Sequence, residues 1–268
     1  MIIGNKNFDL ENKYYVMGIL NVTPDSFSDG GSYTNIDAAL SQAEKMIGEG
    51  ATIIDVGGES IRPGHQQITV EEEIRRIVPV IQELKKRFDV PVSIDTYKSQ
   101  VAKAACEAGA DLLNDIWGFR YDEKMAEVAT EWKVPVCLMH NRDNTDYTNY
   151  MEDVKVDLQE SLTIAKKYGV KEERIILDPG IGFGKTYEQN LIMMNHLEEL
   201  VQMGYPVLLG TSRKSMIGLT LDLPVTEREE GTITTTVMGA MKGCSIFRVH
   251  DVEKNMRALK MTEAILKS

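Results

Sequence analysis

The fold this sequence predicts is a single-domain α/β protein, a (β/α)8 TIM barrel of parallel strands ringed by helices. Three observations carry that expectation. Short runs rich in Val, Ile and Leu recur eight times, stretches of helical period separate them, and neither a Gly/Ser-rich linker nor a shift of composition divides the 268 residues. An open doubly wound sheet is the alternative arrangement of the same elements.

The runs are residues 15–20, 52–56, 92–94, 111–113, 136–139, 175–177, 207–209 and 246–249. Each is brief, continuous and apolar, as a strand buried on both faces is. After the first run, Ile36, Leu40, Ala43 and Ile47 return on one helical face; after the fifth, Val154, Leu158, Ser161, Leu162 and Ala165 do the same. Thr69 ahead of Glu71, Glu72 and Glu73 supplies a helix start: a hydroxyl to cap free amides and acids at the positive end of the dipole. Residues 1–14 precede the first strand and are expected to form a lid over the lower mouth, leaving 15–268 as the barrel.

Composition narrows the function. A net charge of −11 argues against a nucleic-acid binder, which needs a basic face. The apolar runs are too short to span a bilayer, and the first residues have neither the basic start nor the apolar stretch of a secretion signal, so the expected compartment is the cytoplasm. Cys106, Cys137 and Cys244 are far apart and flanked mostly by small or apolar residues, as reduced packed thiols are.

In such a barrel the chemistry sits at the C-terminal ends of the strands. The residues there are Asn21, the 59–64 loop, Asp95, Asn114, His140, Asp178, the Ser212, Arg213 and Lys214 trio, and Arg248 with His250. Singly, each has an ordinary explanation as a helix cap or a solvated charge. Together, Asp95, Asp178 and Asn114 offer the acceptors and donors that a flat heterocycle with amino, amide and ring-nitrogen groups needs. Arg62, Lys214, Arg248 and His250 offer cationic donors for a phosphate or carboxylate. Two other motifs fail. The stretch Asp178-Pro-Gly-Ile-Gly-Phe-Gly-Lys-Thr186 has Pro179 where a nucleotide phosphate loop needs its first glycine, and Lys185 where the dinucleotide fingerprint needs its third. The four histidines, His65, His140, His196 and His250, lack metal-ligand spacing.

The stretches Met17-Gly-Ile-Leu-Asn-Val-Thr-Pro-Asp-Ser-Phe-Ser-Asp-Gly-Gly31, Asp55-Val-Gly-Gly-Glu-Ser-Ile-Arg-Pro-Gly64, Ile176-Leu-Asp-Pro-Gly-Ile-Gly-Phe-Gly-Lys185, Gly210-Thr-Ser-Arg-Lys-Ser215 and Arg248-Val-His250 resemble, in order, those of the dihydropteroate synthase family. The resemblance implies a transferase of folate biosynthesis and a sulfonamide target. It would condense (7,8-dihydropterin-6-yl)methyl diphosphate with p-aminobenzoate, releasing pyrophosphate. It also implies Mg²⁺ bound at Asn21 and a homodimer built through outer helices of the C-terminal half. Asp95, Lys214, Arg62 and Arg248 would carry the catalytic work. The pterin would lie against Asp95, Asn114, Asp178 and Lys214, walled by Ile116, Met139 and Phe183. Its diphosphate would meet Asn21, Ile61, Arg62, Arg248 and His250. Loops 22–33 and 59–67 would close over p-aminobenzoate, with Phe27 and Pro63 near its ring and Lys214 and Ser215 near its polar groups. One departure stands out: the family usually has Thr between the Ser and Arg of the second motif, where this chain has Ile61. A pterin-dependent methyltransferase, with no use for a diphosphate site, is the competing enzyme. A pterin-binding protein of weakened activity is the competing non-enzyme.

Overall fold

The computed structural model describes residues 1–22, 32–59 and 67–268. A short antiparallel hairpin, β1 (Ile2–Ile3) and β2 (Lys6–Asn7), precedes eight strands: β3 (Tyr15–Asn21), β4 (Ile53–Gly57), β5 (Val92–Asp95), β6 (Leu112–Asp115), β7 (Val136–Met139), β8 (Ile175–Asp178), β9 (Leu208–Leu209) and β10 (Ile246–Val249). Those eight pair in parallel in the order β8-β7-β6-β5-β4-β3-β10-β9. A parallel bridge from Leu177 to Val207 joins the two outer members, so the sheet closes and the open doubly wound arrangement is excluded. Helices α1 (Ser32–Gly48), α2 (Val70–Arg87), α3 (Ser99–Ala108), α4 (Lys124–Trp132), α5 (Tyr150–Lys167), α6 (Tyr187–Asn195), α7 (Leu197–Val201), α8 (Ser215–Leu221), α9 (Glu229–Met241) and α10 (Val252–Leu266) alternate with the strands.

Side chains alternate across each strand, and the two sets pack against different partners. Outward residues such as Val16, Leu20, Ile54, Val56, Ile94 and Leu138 join the helices in the main core. Inward residues at the strand starts, Met17, Ile53, Leu112, Cys137, Ile176, Leu208 and Ile246, form a second apolar layer that also takes in Ile3, Phe8 and Leu10 from the N-terminal segment. Phe8 is 3% exposed, and its burial is worth about 1.5–3 kcal/mol. Two residues further along the same faces the character changes: Asp55, Asp95, Asn114, Asp178 and Arg248 follow Ile53, Ser93, Leu112, Ile176 and Ile246. The barrel interior is apolar at its N-terminal end and polar at its C-terminal end.

Local signals explain the helix starts. The Thr69 hydroxyl accepts the Glu72 amide at 3.2 Å and caps α2. Glu73, expected only to complement the dipole, is instead buried, with its carboxylate 2.8 Å from the Lys98 ammonium. Thr186 and Gln189 form a reciprocal capping box at the head of α6. The three cysteines are buried free thiols whose pKa values burial pushes up, as expected of inert packed residues. Among the described residues no helix is long and apolar enough to cross a membrane.

Candidate active site

Strand register sets the first row of the site. Asn21, Gly57, Asp95 and Asn114 are successive Cα partners across β3, β4, β5 and β6. Glycine at 57 keeps the row open, since a Cβ there would lie 3.5 Å from Asn21 Oδ1 and 3.9 Å from Asp95 Oδ2. Met139 pairs with Asp178 across β7 and β8, and Gly210 leaves room between Asp178 and Arg248. Expected just beyond the apolar runs, Asn21, Asp95 and Asp178 are the last residues of their strands, and Asn114 and Arg248 lie within theirs. The strands extend into the polar layer because their backbone ladder continues there.

At the centre, Arg248 donates from Nε to Asp55 Oδ2 and from Nη2 to Asp95 Oδ2, each at 2.6 Å. Asn114 Nδ2 donates to the same Asp55 oxygen at 3.3 Å. The other oxygens, Asp55 Oδ1 and Asp95 Oδ1, are buried without a protein partner among the described residues. An unmet buried acceptor is costly, so these oxygens suit a ligand that brings N–H donors. Burial raises the pKa of Asp95 to about 7, with Arg248 pulling it back and Asp55 adding to the rise. Burial raises that of Asp178 as well, against the pull of Lys214. Arg248 is held above its usual range by the two aspartates despite its own burial.

Opposite this centre stands the loop that leaves β8. Asp178 Oδ1 accepts the Gly180 amide at 2.7 Å. Lys214, the residue before α8, donates to the Ile181 carbonyl and sits 4.6 Å from the Phe183 ring centroid. Burial lowers the Lys214 pKa to about 8, with Asp178 opposing. The wall between the two sides is an apolar cluster of Tyr97, Ile116 and Met139, with Trp117 and Phe183 packed on it. Beside it, the Ser212 hydroxyl lies 2.9 Å from His250 Nδ1 and accepts the His250 amide at 3.1 Å. Ser215 is exposed at the first position of α8.

Asn21, Asp95, Asn114, Ile116, Met139, Asp178, Phe183, Lys214, Arg248 and His250 thus surround one mouth, whereas Phe27, Ile61, Arg62 and Pro63 lie outside the described residues. Two strand-end residues turn elsewhere. The His140 side chain is fully buried between Asp157 and Lys185, and Arg213 forms an ion pair with Asp251 at 2.6 Å. Arg248, expected to be a donor for an anion alone, also gives two of its nitrogens to aspartates. Asp55 was not singled out from the sequence, although a carboxylate inside the run Ile53-Ile-Asp-Val-Gly57 is a signal, because an apolar strand tolerates a charge only where a partner meets it.

A cluster of carboxylates and amides facing a lysine across an apolar wall, at the mouth of a barrel, defines a site for a polar flat heterocycle. The family model described as pterin binding enzyme matches residues 17–250, and the chain is a pterin-binding enzyme. The dihydropteroate synthase of Clostridium beijerinckii is 62% identical over 268 residues, all of both chains, and that of Bacillus subtilis is 56% identical over 254 residues, 95% of this chain and 89% of the other. A solved Clostridium difficile dihydropteroate synthase, crystallised in the presence of pteroic acid, superposes with a TM-score of 0.95 at 51% identity, covering 98% of this chain and all of that one. The Yersinia pestis enzyme in complex with a sulfonamide drug superposes at 0.92 with 40% identity, covering 100% and 98%. The chain belongs to the dihydropteroate synthase family, transferases that make dihydropteroate in folate biosynthesis.

Proposed function

We propose that the barrel mouth binds the pterin ring between Asp95, Asn114 and Asp178 on one side and Lys214 and Phe183 on the other, and releases the diphosphate toward Arg248, His250 and Asn21. The observation that carries this reading is the pair of oxygens without a partner among the described residues, Asp55 Oδ1 and Asp95 Oδ1, beside a guanidinium already fixed by the same two carboxylates. A ring rich in N–H groups satisfies those acceptors, and Arg248 Nη1, with no protein acceptor among the described residues, remains to meet an anion. The pteroic acid named for the Clostridium difficile structure supports the same substrate class, and the sulfonamide named for the Yersinia pestis complex supports inhibition by such drugs.

The reaction exchanges one bond for another at the pterin methylene. The C–O bond to the diphosphate breaks with its electron pair leaving on oxygen, the aniline nitrogen of p-aminobenzoate forms the new C–N bond, and its proton passes to the solvent or the departing polyanion. Positive charge spreads into the ring as the bond breaks, and the ionised Asp95 and Asp178 stabilise it there. Arg248 bridges the two charges, one face toward the aspartates and Nη1 toward the leaving group. Asn21, Arg62 and His250 complete the diphosphate site, where Ile61 stands at the family's Thr position without a side-chain donor, and Phe27, Pro63, Lys214 and Ser215 hold p-aminobenzoate.

Among the described residues no group of three or more His, Cys, Asp or Glu could hold a metal. The donor set still suits Mg²⁺, which keeps several waters and binds mainly through substrate phosphates, because the Asn21 amide oxygen faces the open row beside Asp95. When bound there, Mg²⁺ neutralises charge building on the departing diphosphate. A homodimer through the C-terminal helices is supported by exposed Leu191 and Ile192 on α6, Leu219 and Leu221 on α8, and Met238 and Met241 on α9. These three helices pack on one another, so the apolar side chains share one outer region.

Calorimetry of p-aminobenzoate tests the site as a whole. Bound pterin, pyrophosphate and Mg²⁺ should complete the amine site, so binding is weak to the free enzyme and much tighter to that complex. Equal affinity in both states contradicts ordered assembly, and no binding in either removes p-aminobenzoate as the second substrate.

A further inference from the structure

The loop from Asp178 to α6 carries three functional elements: the Gly180 amide on Asp178, the Ile181 carbonyl on Lys214, and the Phe183 ring. Its own backbone does little to hold it. Gly180, Gly182 and Gly184 all have positive φ, at 67°, 85° and 53°, and glycine is the residue that loses most freedom on being fixed. Asn190 accepts the Gly182 amide at 2.6 Å and the Tyr147 hydroxyl donates to the Gly184 carbonyl at 2.7 Å, but the side chain that ties two of its carbonyls together is Lys185. The ammonium lies 2.9 Å from Gly180 O, 2.9 Å from Phe183 O and 2.7 Å from His140 Nδ1. Burial pushes the Lys185 pKa well down, with Asp178 opposing, and it is the three acceptors around Nζ that favour the ammonium, whose three protons they take up.

The third acceptor exists only if His140 adopts one tautomer. Its Nε2 is 2.9 Å from Asp157 Oδ2. Asp157 is itself gripped by Arg142, from Nε at 2.5 Å and Nη2 at 3.1 Å, and its pKa is held well below the usual carboxylate range. An ionised carboxylate only accepts, so Nε2 carries the proton and Nδ1 presents its lone pair to Lys185. Burial lowers the His140 pKa to about 4, which keeps the imidazole neutral. The chain Arg142–Asp157–His140–Lys185 therefore runs from α5 to the loop with every donor direction fixed.

We propose that Lys185 is a positioning residue for the pterin pocket, oriented by the His140–Asp157 pair and acting through the carbonyls of Gly180 and Phe183. In that role it acts on the loop and not on the substrate directly. Its removal loosens the loop, so Lys214 loses the fixed Ile181 carbonyl and Phe183 its place in the wall, while the p-aminobenzoate side of the mouth is reached only through Lys214. The inference rests on the pterin site proposed above.

The test is steady-state kinetics and pteroic acid binding on Lys185→Gln, Lys185→Met and Asp157→Asn, with ¹⁵N spectra of the imidazoles. For both Lys185 variants, KM for the pterin diphosphate should rise about tenfold or more, the effect of losing a charged hydrogen bond, with KM for p-aminobenzoate rising by a clearly smaller factor, through Lys214 alone. Asp157→Asn should shift both pterin constants in the same direction by about threefold or more, because the His140 tautomer is no longer imposed. The wild-type His140 spectrum should be that of a neutral ring protonated at Nε2, with the Nδ1 resonance moving in Lys185→Met. If the Lys185 variants do not fold, Asp157→Asn decides alone. Pterin constants within twofold of wild type in the folded variants, or both KM values rising in parallel, overturn the proposal. Asp178→Asn in the same assays separates the two levels: if it too leaves pterin binding unchanged, the pterin site assignment has failed, not this inference.

Discussion

Asp95 has one oxygen bound to Arg248 and one with no protein partner among the described residues, which makes it the residue at which substrate binding and charge stabilisation meet. Replacing it by Asn keeps the shape and removes the charge. Loss of a charged hydrogen bond of about 1.5–3 kcal/mol corresponds to a fall in turnover of roughly 10- to 150-fold. The pH profile carries the same assignment. Asp95, raised to about 7, must be ionised, and Lys214, lowered to about 8, must be protonated. Accordingly, kcat/KM for the pterin should climb as pH rises through about 7 and decline as it passes about 8, with the acid limb absent in Asp95→Asn. A wild-type profile flat from pH 6 to 9 would remove both groups from the mechanism. Most of this residue set was legible in the sequence because barrel chemistry collects at strand ends. Asp55 was not, because it sits inside an apolar run, and Lys185 was visible only as the residue that spoiled a dinucleotide fingerprint and closed the third family motif, with no role attached to it.

The loop after β8 is the element whose geometry leaves least room for change. A Cβ on Gly180 would lie 1.9 Å from the His140 carbonyl oxygen, in a backbone region that already costs a non-glycine residue about 1–2 kcal/mol. Gly204 has a similar φ of 86° but nothing within 4 Å of the added carbon. Gly204→Ala should therefore cost only that backbone term in chemical denaturation, whereas Gly180→Ala should cost more and also weaken pterin binding. Equal losses for the two would mean that the close approach to His140 does not constrain the loop. At this scale the sequence was informative about strands and helix starts, since apolar period and capping hydroxyls are local. It was less informative about where strands stop, because a buried polar layer interrupts the apolar run while the backbone pairing continues, as at Asn114 and Asp178.

Across the whole molecule, one barrel presents an apolar floor and a polar mouth, and the recurrence of eight strand-helix units made that plan readable without coordinates. The expected closure is made at its slenderest between β8 and β9, where β9 is only two residues long and the bridge runs through Val207 beside it. The packing of Ile3, Phe8 and Leu10 on the barrel floor supports residues 1–14 as a cover for the lower mouth. The chemistry proposed for this mouth joins the pterin methylene to an aromatic amine with loss of pyrophosphate. Rapid-quench measurement of both products, with the pterin diphosphate and Mg²⁺ and with p-aminobenzoate present or withheld, tests it most directly. Dihydropteroate and pyrophosphate should appear in equal amounts when all are present. Pyrophosphate without matching dihydropteroate, or neither product from folded enzyme with both substrates, would contradict it.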